Sequence, residues 1–255
     1  MTISVCIICF NEEPSIKRCL ESVAWADEIV VVDSMSRDRT LDIARQFTRS
    51  VHQRKWTGYA DQKNYALSLA SGEWVLSLDA DEEATVELSR EIIDIANSKE
   101  ALEGYLIPRR SFYQGRWIKH SGFYPDRQLR FFRRNKALWT GKRVHEKVHV
   151  EGRVGFMKGE ILHYPYGGIL EGQLATVNSF STLMALDLHE QGKRFHLILL
   201  LLRPFFKFLE VYFLRLGLLD GIPGLIISVT SAYAMFARYV KLRELEQGLA
   251  KRSSL

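Results

Sequence analysis

The stretch Trp74-Val75-Leu76-Ser77-Leu78-Asp79-Ala80-Asp81-Glu82-Glu83 decides the fold. Its first half is the short apolar run of a buried strand, and its second half is almost entirely acidic. A strand that runs directly into carboxylates fits an open α/β sheet, in which ligands bind outside the C-terminal ends of parallel strands. Two segments nearer the N-terminus repeat the arrangement. Residues 3–10 form an apolar, β-branched strand followed by Asn11 and Glu12, and Glu28–Asp33 is a strand that itself ends in an acid. Turn or helix-cap chemistry accounts for any one of these acids. It accounts poorly for all three.

The sequence between these strands has helical spacing. Asn11-Glu12-Glu13-Pro14 is a helix start with proline in the first turn, and Ile16, Cys19, Leu20 and Val23 follow at helical intervals. Thr40, Leu41, Ile43, Ala44 and Phe47 mark a second helix, Val51 a short strand, and residues 59–70 a third helix stopped at Gly72. Such alternation predicts βαβ units and a parallel sheet. Beyond Asp81 one more helix (Val86, Leu88, Ile92, Ile93, Ala96) leads to strand-like pieces at residues 104–109, 129–132, 144–150 and 161–164. They lack intervening helices and are expected as antiparallel additions to the edge or face of the sheet. From about Gln173 the chain is helical and increasingly apolar, without an internal repeat.

A chain of 255 residues with 47% hydrophobic and 25% charged residues is that of a globular protein, one ordinary domain with an appendage. The net charge of +5 points to an anionic partner. Thirteen Lys or Arg against three acids (Asp126, Glu146, Glu151) fall between residues 109 and 153, so the basic excess is concentrated mid-chain. Cys6 and Cys9 form a C-x-x-C, but residues three apart on a strand point to opposite faces. They are expected as small buried hydrophobes in a reducing compartment. The N-terminus enters the first strand without a secretory signal pattern, and the longest strictly apolar run near the C-terminus, residues 197–202, falls short of the ~20 residues of a spanning helix. The expectation is a cytoplasmic, non-spanning protein.

An Asp-x-Asp at a strand end can hold a divalent ion that keeps water and binds phosphates. In glycosyl transfer such an ion neutralises charge developing on the departing nucleoside diphosphate. Alone the motif is common by chance. Taken with Val5-Cys6-Ile7-Ile8-Cys9-Phe10-Asn11-Glu12-Glu13, Glu28–Ser34 with Asp38 and Thr40, Gln62-Lys63-Asn64-Tyr65-Ala66 and Leu78–Glu82, in order and spacing, the sequence resembles family-two inverting glycosyltransferases of the GT-A fold. Arg143-Val144-His145-Glu146, His163-Tyr164, Phe208–Tyr212 and Gly217-Leu218-Leu219-Asp220-Gly221 extend the likeness toward the bacterial lipopolysaccharide core β-glucosyltransferase subgroup.

The resemblance implies an α/β, GT-A (Rossmann-like) mixed sheet flanked by helices over residues 1–170, with a C-terminal apolar helical region over 171–255. It implies transfer of a sugar, glucose from UDP-glucose, to an inner-core heptose, with a divalent metal (Mg or Mn) as cofactor and a UDP-sugar as donor. Phe10, Asn11 and Glu12 would line the nucleotide pocket, Asp33 would hydrogen-bond the base, and Lys63 would lie near the base or diphosphate. Asp79 would lie near the ribose or donor sugar, Asp81 would bind metal, and His163 would complete the metal site or serve as a tethered strand-end histidine. Inverting transfer needs one general base. Glu146, an acid in a cationic segment, is the candidate, against a simple ion pair with Arg143 or Lys147. His145 is the runner-up.

The tail alternates apolar and aromatic residues with Arg203, Lys207 and Arg215, which suits helices lying in a membrane interface. A buried helical hairpin or an oligomer contact is the other reading. A lipid-linked or capsular glycan is the alternative acceptor, and the inner-membrane cytoplasmic surface the expected partner. A basic nucleic-acid-binding protein would leave the strand-end acids unexplained, since they repel phosphates unless metal intervenes. A nucleotidyltransferase or a dinucleotide oxidoreductase would show a Gly-rich phosphate loop, which Phe10-Asn11-Glu12-Glu13-Pro14 is not.

Overall fold

The computed structural model describes residues 1–141 and 146–249. The chain runs through β1 (Ile3–Cys9), α1 (Ile16–Ser22), β2 (Glu28–Asp33), α2 (Thr40–Ala44), β3 (Val51–Gln53), α3 (Tyr59–Leu69), β4 (Trp74–Asp79), β5 (Glu82–Ala84) and α4 (Val86–Asn97). Then follow β6 (Gly104–Tyr113), β7 (Arg116–Trp117), β8 (Asp126–Arg133), β9 (Ala137–Thr140), β10 (Lys147–Val150), β11 (Val154–Phe156) and β12 (Ile161–His163). Three long helices complete it: α5 (Leu170–Glu190), α6 (Leu197–Leu209) and α7 (Ile222–Glu246).

Among the described residues, a ten-stranded mixed sheet has the main order β3-β2-β1-β4-β8-β6-β12-β5. β1, β2, β3 and β4 are mutually parallel neighbours, as their alternation with helices requires. β8 runs antiparallel to β4 and β6 antiparallel to β8, so the later strands continue the sheet from β4 onward. Two pieces depart from expectation. β9 and β10 form a separate antiparallel pair, and β11 joins β6 in parallel. The second follows from a turn at Gly152 (φ +134°), where Arg153 O accepts from Glu103 N at 3.0 Å and sets β11 alongside the start of β6.

Both faces of the first strands are covered, which is why they read as unbroken apolar runs. Val5, Ile7 and Cys9 of β1, with Leu76 and Leu78 of β4, pack toward Ile16 and Leu20 of α1 and Leu88 and Ile92 of α4. Cys6, Val30, Val32 and Val75 pack toward Ala66 and Leu67 of α3 and toward Trp139 and Val150 of the β9–β10 pair. Cys6 and Cys9 therefore belong to opposite cores, as strand geometry requires. Trp74, fully buried, stacks on Phe131 at 4.7 Å.

The chain divides into two compact units, residues 1–110 with 125–164, and residues 111–124 with 165–255. Within the second, fully buried Asp220 accepts from the backbone of Lys119 (3.1 Å) and His120 (3.0 Å) and from the Ser121 hydroxyl (2.8 Å). Gly224 must lack a side chain, since a Cβ there would lie 1.9 Å from the Gly217 carbonyl oxygen. The Gly217–Gly221 motif is thus a fastening for the 119–121 loop. Gln173 of α5 takes a hydrogen bond from Tyr113 and gives one to Thr230 of α7 at 2.9 Å. By length and composition α7 is apolar enough to cross a membrane, and 33% of its most apolar stretch is buried. Strictly apolar runs did not reveal it, because Ser228, Thr230 and Ser231 interrupt them without lowering the average much.

Candidate active site

Strand register gathers the acids. Ile8 is paired with Asp79 and Cys9 with Asp33, so β1, β2 and β4 end together. The loops after β1 and β2 are stitched to each other. Asn11 N donates to Ser36 Oγ (2.8 Å), Arg37 N to Asn11 Oδ1 (2.9 Å), Glu12 N to Thr40 Oγ1 (2.8 Å) and Glu13 N to Asp38 Oδ2 (3.1 Å). Asn11 takes a positive φ of 53°, which a short amide side chain tolerates. Asp33 is fully buried and accepts from Ser36 N (2.9 Å), the Ser36 hydroxyl and Gln53 Nε2 (3.3 Å). It organises this loop. Phe10, immediately before it, stands 53% exposed, unusual for an aromatic ring at the end of a core strand.

Glu12 is half-buried and receives the Ser15 hydroxyl. Burial pushes its carboxyl up to about 7, the Ser15 bond works against this, and the nearby charges of Asp81, Asp38 and Asp79 add to it.

The triplet Gln62-Lys63-Asn64 ties helix α3 to three places. Gln62 Nε2 donates to Ser34 Oγ (3.0 Å) and Arg54 O (3.2 Å). Asn64 exchanges two hydrogen bonds with the backbone of Trp139 (2.8 and 2.9 Å), acting as a strand partner for β9. Lys63 is only 3% exposed and points its ammonium at Asp79 Oδ1 (3.1 Å) and Glu146 Oε1 (3.4 Å), above the face of Trp139 at 4.6 Å. Glu146 is 20% exposed on its side chain. Its described ion pair is with Lys63. Arg143 and His145 lie outside the described residues.

Asp79 also meets Arg130 Nη2 at 2.6 Å. Burial would raise the Asp79 carboxyl, but the Arg130 guanidinium and Lys63 ammonium outweigh it and hold the group well below the carboxylate range. Arg130 is nearly fully buried and reaches Glu82 (3.4 Å), which also receives Arg109 (2.9 Å) and the backbone of Asp79 (2.9 Å). Arg109 in turn holds Asp126 at 2.6 Å. Sequence reasoning missed Arg130, Arg109 and Trp139. The available signal was an arginine inside Leu129-Arg130-Phe131-Phe132, where period-two alternation turns it inward. Tyr59, whose hydroxyl is pushed up by burial and then by the charges of Glu146, Asp79 and Asp81, belongs to the same surroundings.

Antiparallel pairing of β12 with β5 sets His163 opposite Glu82 and brings its Nε2 to 3.3 Å from Asp81 Oδ2. Tyr164 N donates to Asp81 O at 3.0 Å, fixing that corner. Among the described residues no third His, Cys, Asp or Glu completes a three-ligand cluster with them.

A parallel sheet whose strands end in Asp33 and Asp79, with Asp81 beyond, is joined by direct sequence comparison. The model of glycosyl transferase family 2 matches residues 4–151. The chain belongs to glycosyl transferase family 2. It is 32% identical to the lipopolysaccharide core biosynthesis glycosyltransferase LpsC of Rhizobium meliloti, over 95% of this chain and 92% of that protein. It is 33% identical to an uncharacterized glycosyltransferase of Rickettsia typhi, over 95% of this chain and 87% of that one. The fold is that of S. aureus TarS (residues 1–349), with a TM-score of 0.52 at 18% identity, covering 99% of this chain and 93% of that one. The Asp79–Lys63–Glu146 cluster lies at the C-terminal end of β4.

Proposed function

We propose that this chain is a metal-dependent inverting glycosyltransferase that moves glucose from UDP-glucose to a heptose of the lipopolysaccharide inner core, working as a peripheral protein on the cytoplasmic face of the inner membrane. The observation that carries the proposal is Lys63, whose ammonium touches Asp79 at 3.1 Å and Glu146 at 3.4 Å. One buried cation thereby couples the aspartate proposed for the donor to the glutamate proposed as base. Support for the acceptor is the likeness to LpsC, a lipopolysaccharide core biosynthesis glycosyltransferase, over nearly the full length of both chains. Support for the donor class is TarS, crystallised with UDP-GlcNAc.

In this reading the exposed ring of Phe10, with Asn11 and Glu12, walls the nucleotide, and Asp33 serves the base through the loop it organises. Lys63 and Asp79 face the diphosphate and donor sugar. Glu146 takes the proton from the acceptor hydroxyl as that oxygen bonds to the anomeric carbon and the bond to the diphosphate breaks. Asp81 and His163, one carboxylate and one imidazole, are the residues that would hold a divalent ion, and the imidazole favours Mn²⁺ over Mg²⁺. When bound, such an ion supplies charge neutralisation for the leaving diphosphate.

The test is turnover across UDP-, GDP- and ADP-linked sugars with Mg²⁺, Mn²⁺ or chelator. UDP-glucose with metal and a heptose-bearing acceptor is expected to lead. Turnover with a lipid-linked or capsular glycan but not with heptose would move the acceptor and keep the chemistry. Asp81→Ala is expected to abolish the metal dependence of donor binding, and unchanged affinity in the presence of metal would remove Asp81 from the site.

A further inference from the structure

The C-terminal helices carry apolar surface that the unit's own core does not use. On α6, Leu197, Ile198, Leu201, Leu202, Phe205 and Phe206 are 45–64% exposed. Their intervals of one, three, one, three and one residues place them along a single helix face. Leu199 and Leu200 on the opposite side pack with Ala185, Tyr239 and Leu242 of α5 and α7. A continuous aliphatic and aromatic stripe of this kind exceeds what a soluble monomer ordinarily leaves to water. Helix α6 runs on into a π-helical turn over Glu210–Leu214, and the whole run carries Arg203, Lys207 and Glu210, so it is not the unbroken apolar segment that a hydrocarbon core of about 30 Å requires. The geometry is that of a helix lying in an interface.

The charge around the stripe selects its partner. Residues 191–219 contain five cations (Lys193, Arg194, Arg203, Lys207 and Arg215) and one acid, Glu210. Glu210 is already engaged by Lys207 at 3.0 Å and Arg215 at 2.6 Å. The side chains of Lys193, Arg194 and Arg203 have no ion pair or hydrogen bond among the described residues. Arg203 also lines a cleft of about 570 Å³, beside the Lys207–Glu210 pair, whose walls include Phe206, Phe213 and Leu214. Apolar walls with a cationic flank match an acyl chain joined to a phosphate. A second copy of the chain would meet this face with the same positive charge, which disfavours a symmetric contact.

We infer that the exposed face of α6 and its cationic flank dock on an anionic phospholipid bilayer. The inference deepens the peripheral placement proposed above but needs neither the donor nor the acceptor assignment. Full-length chain is sedimented with phosphatidylcholine vesicles with and without phosphatidylglycerol. It is expected to partition onto the anionic vesicles more strongly than onto the neutral ones. Leu201→Glu combined with Phe205→Glu should lower that partition at least ~10-fold, through loss of apolar insertion. Arg203→Gln should lower it roughly 5-fold, an effect that fades with salt. UDP-sugar binding should be unchanged in both variants, so a failed donor assignment and a failed membrane face give different results. Should circular dichroism show that the double variant misfolds, Leu214→Glu, at a residue 80% exposed beside the cleft, carries the same expectation. Equal sedimentation of wild type and folded variants would overturn the inference. So would a lipid-free dimer that the double variant converts to monomer without any vesicle binding, since a second copy would then cover the face.

Discussion

Glu146 meets Lys63 through Oε1, and among the described residues that is its ion pair. Glu146→Gln preserves shape and hydrogen bonding but cannot accept the acceptor proton. Steady-state transfer should fall by ~10²–10⁴-fold while UDP-sugar affinity barely changes. A matched loss of donor affinity would reassign the residue to the donor site. The cysteines make an opposite prediction. Burial pushes the Cys6 thiol up to about 12, with the Glu28 charge adding to it, and burial also raises Cys9 and Cys19. At neutral pH all three should resist maleimide in the native protein and react after unfolding, and rapid native labelling would show an open strand end. At this scale the sequence was legible where local pattern sufficed. Asp33 and Asp79 announce themselves as strand-end acids. The approach of Lys63 to Glu146 does not, because 83 residues separate them.

Among the elements, β4 and β8 are tied by more than their ladder. Arg130 of β8 enters from the neighbouring strand and supplies charge to Asp79 and Glu82. Arg130→Met keeps the volume but leaves two carboxylates without their shared cation, one of them fully buried. Asp79 keeps Lys63 and Glu82 keeps Arg109, so the cost falls below the ~3–5 kcal/mol of an uncompensated buried charge, and a lowered denaturation midpoint is expected. A midpoint within error of wild type would mean that the pairing contributes little beyond the desolvation it costs. The βαβ alternation made the first four strands readable, since each short apolar run is followed by a helical period. The later strands were readable as strands but not in their partners. Pairing of β11 depends on the turn at Gly152, and isolation of the β9–β10 pair depends on Asn64 of a distant helix occupying the backbone of Trp139. Neither contact leaves a periodic trace in sequence.

Across the whole molecule, a family-2 sheet with its acids at one end is combined with a second unit that recruits residues 111–124 from mid-chain. That recruitment was invisible in composition, because the fastening is a single buried acid, Asp220, holding three donors of the 119–121 loop. A single displacement at the donor sugar assisted by one base, Glu146, fixes the stereochemistry of the product. The most direct measurement is proton NMR of the glycoside formed by the intact enzyme from UDP-α-glucose and a heptose-bearing acceptor. A β-linked product with one UDP released per bond formed is expected. An α-linked product would contradict it, because retention needs a second displacement and a nucleophile that Glu146 does not provide.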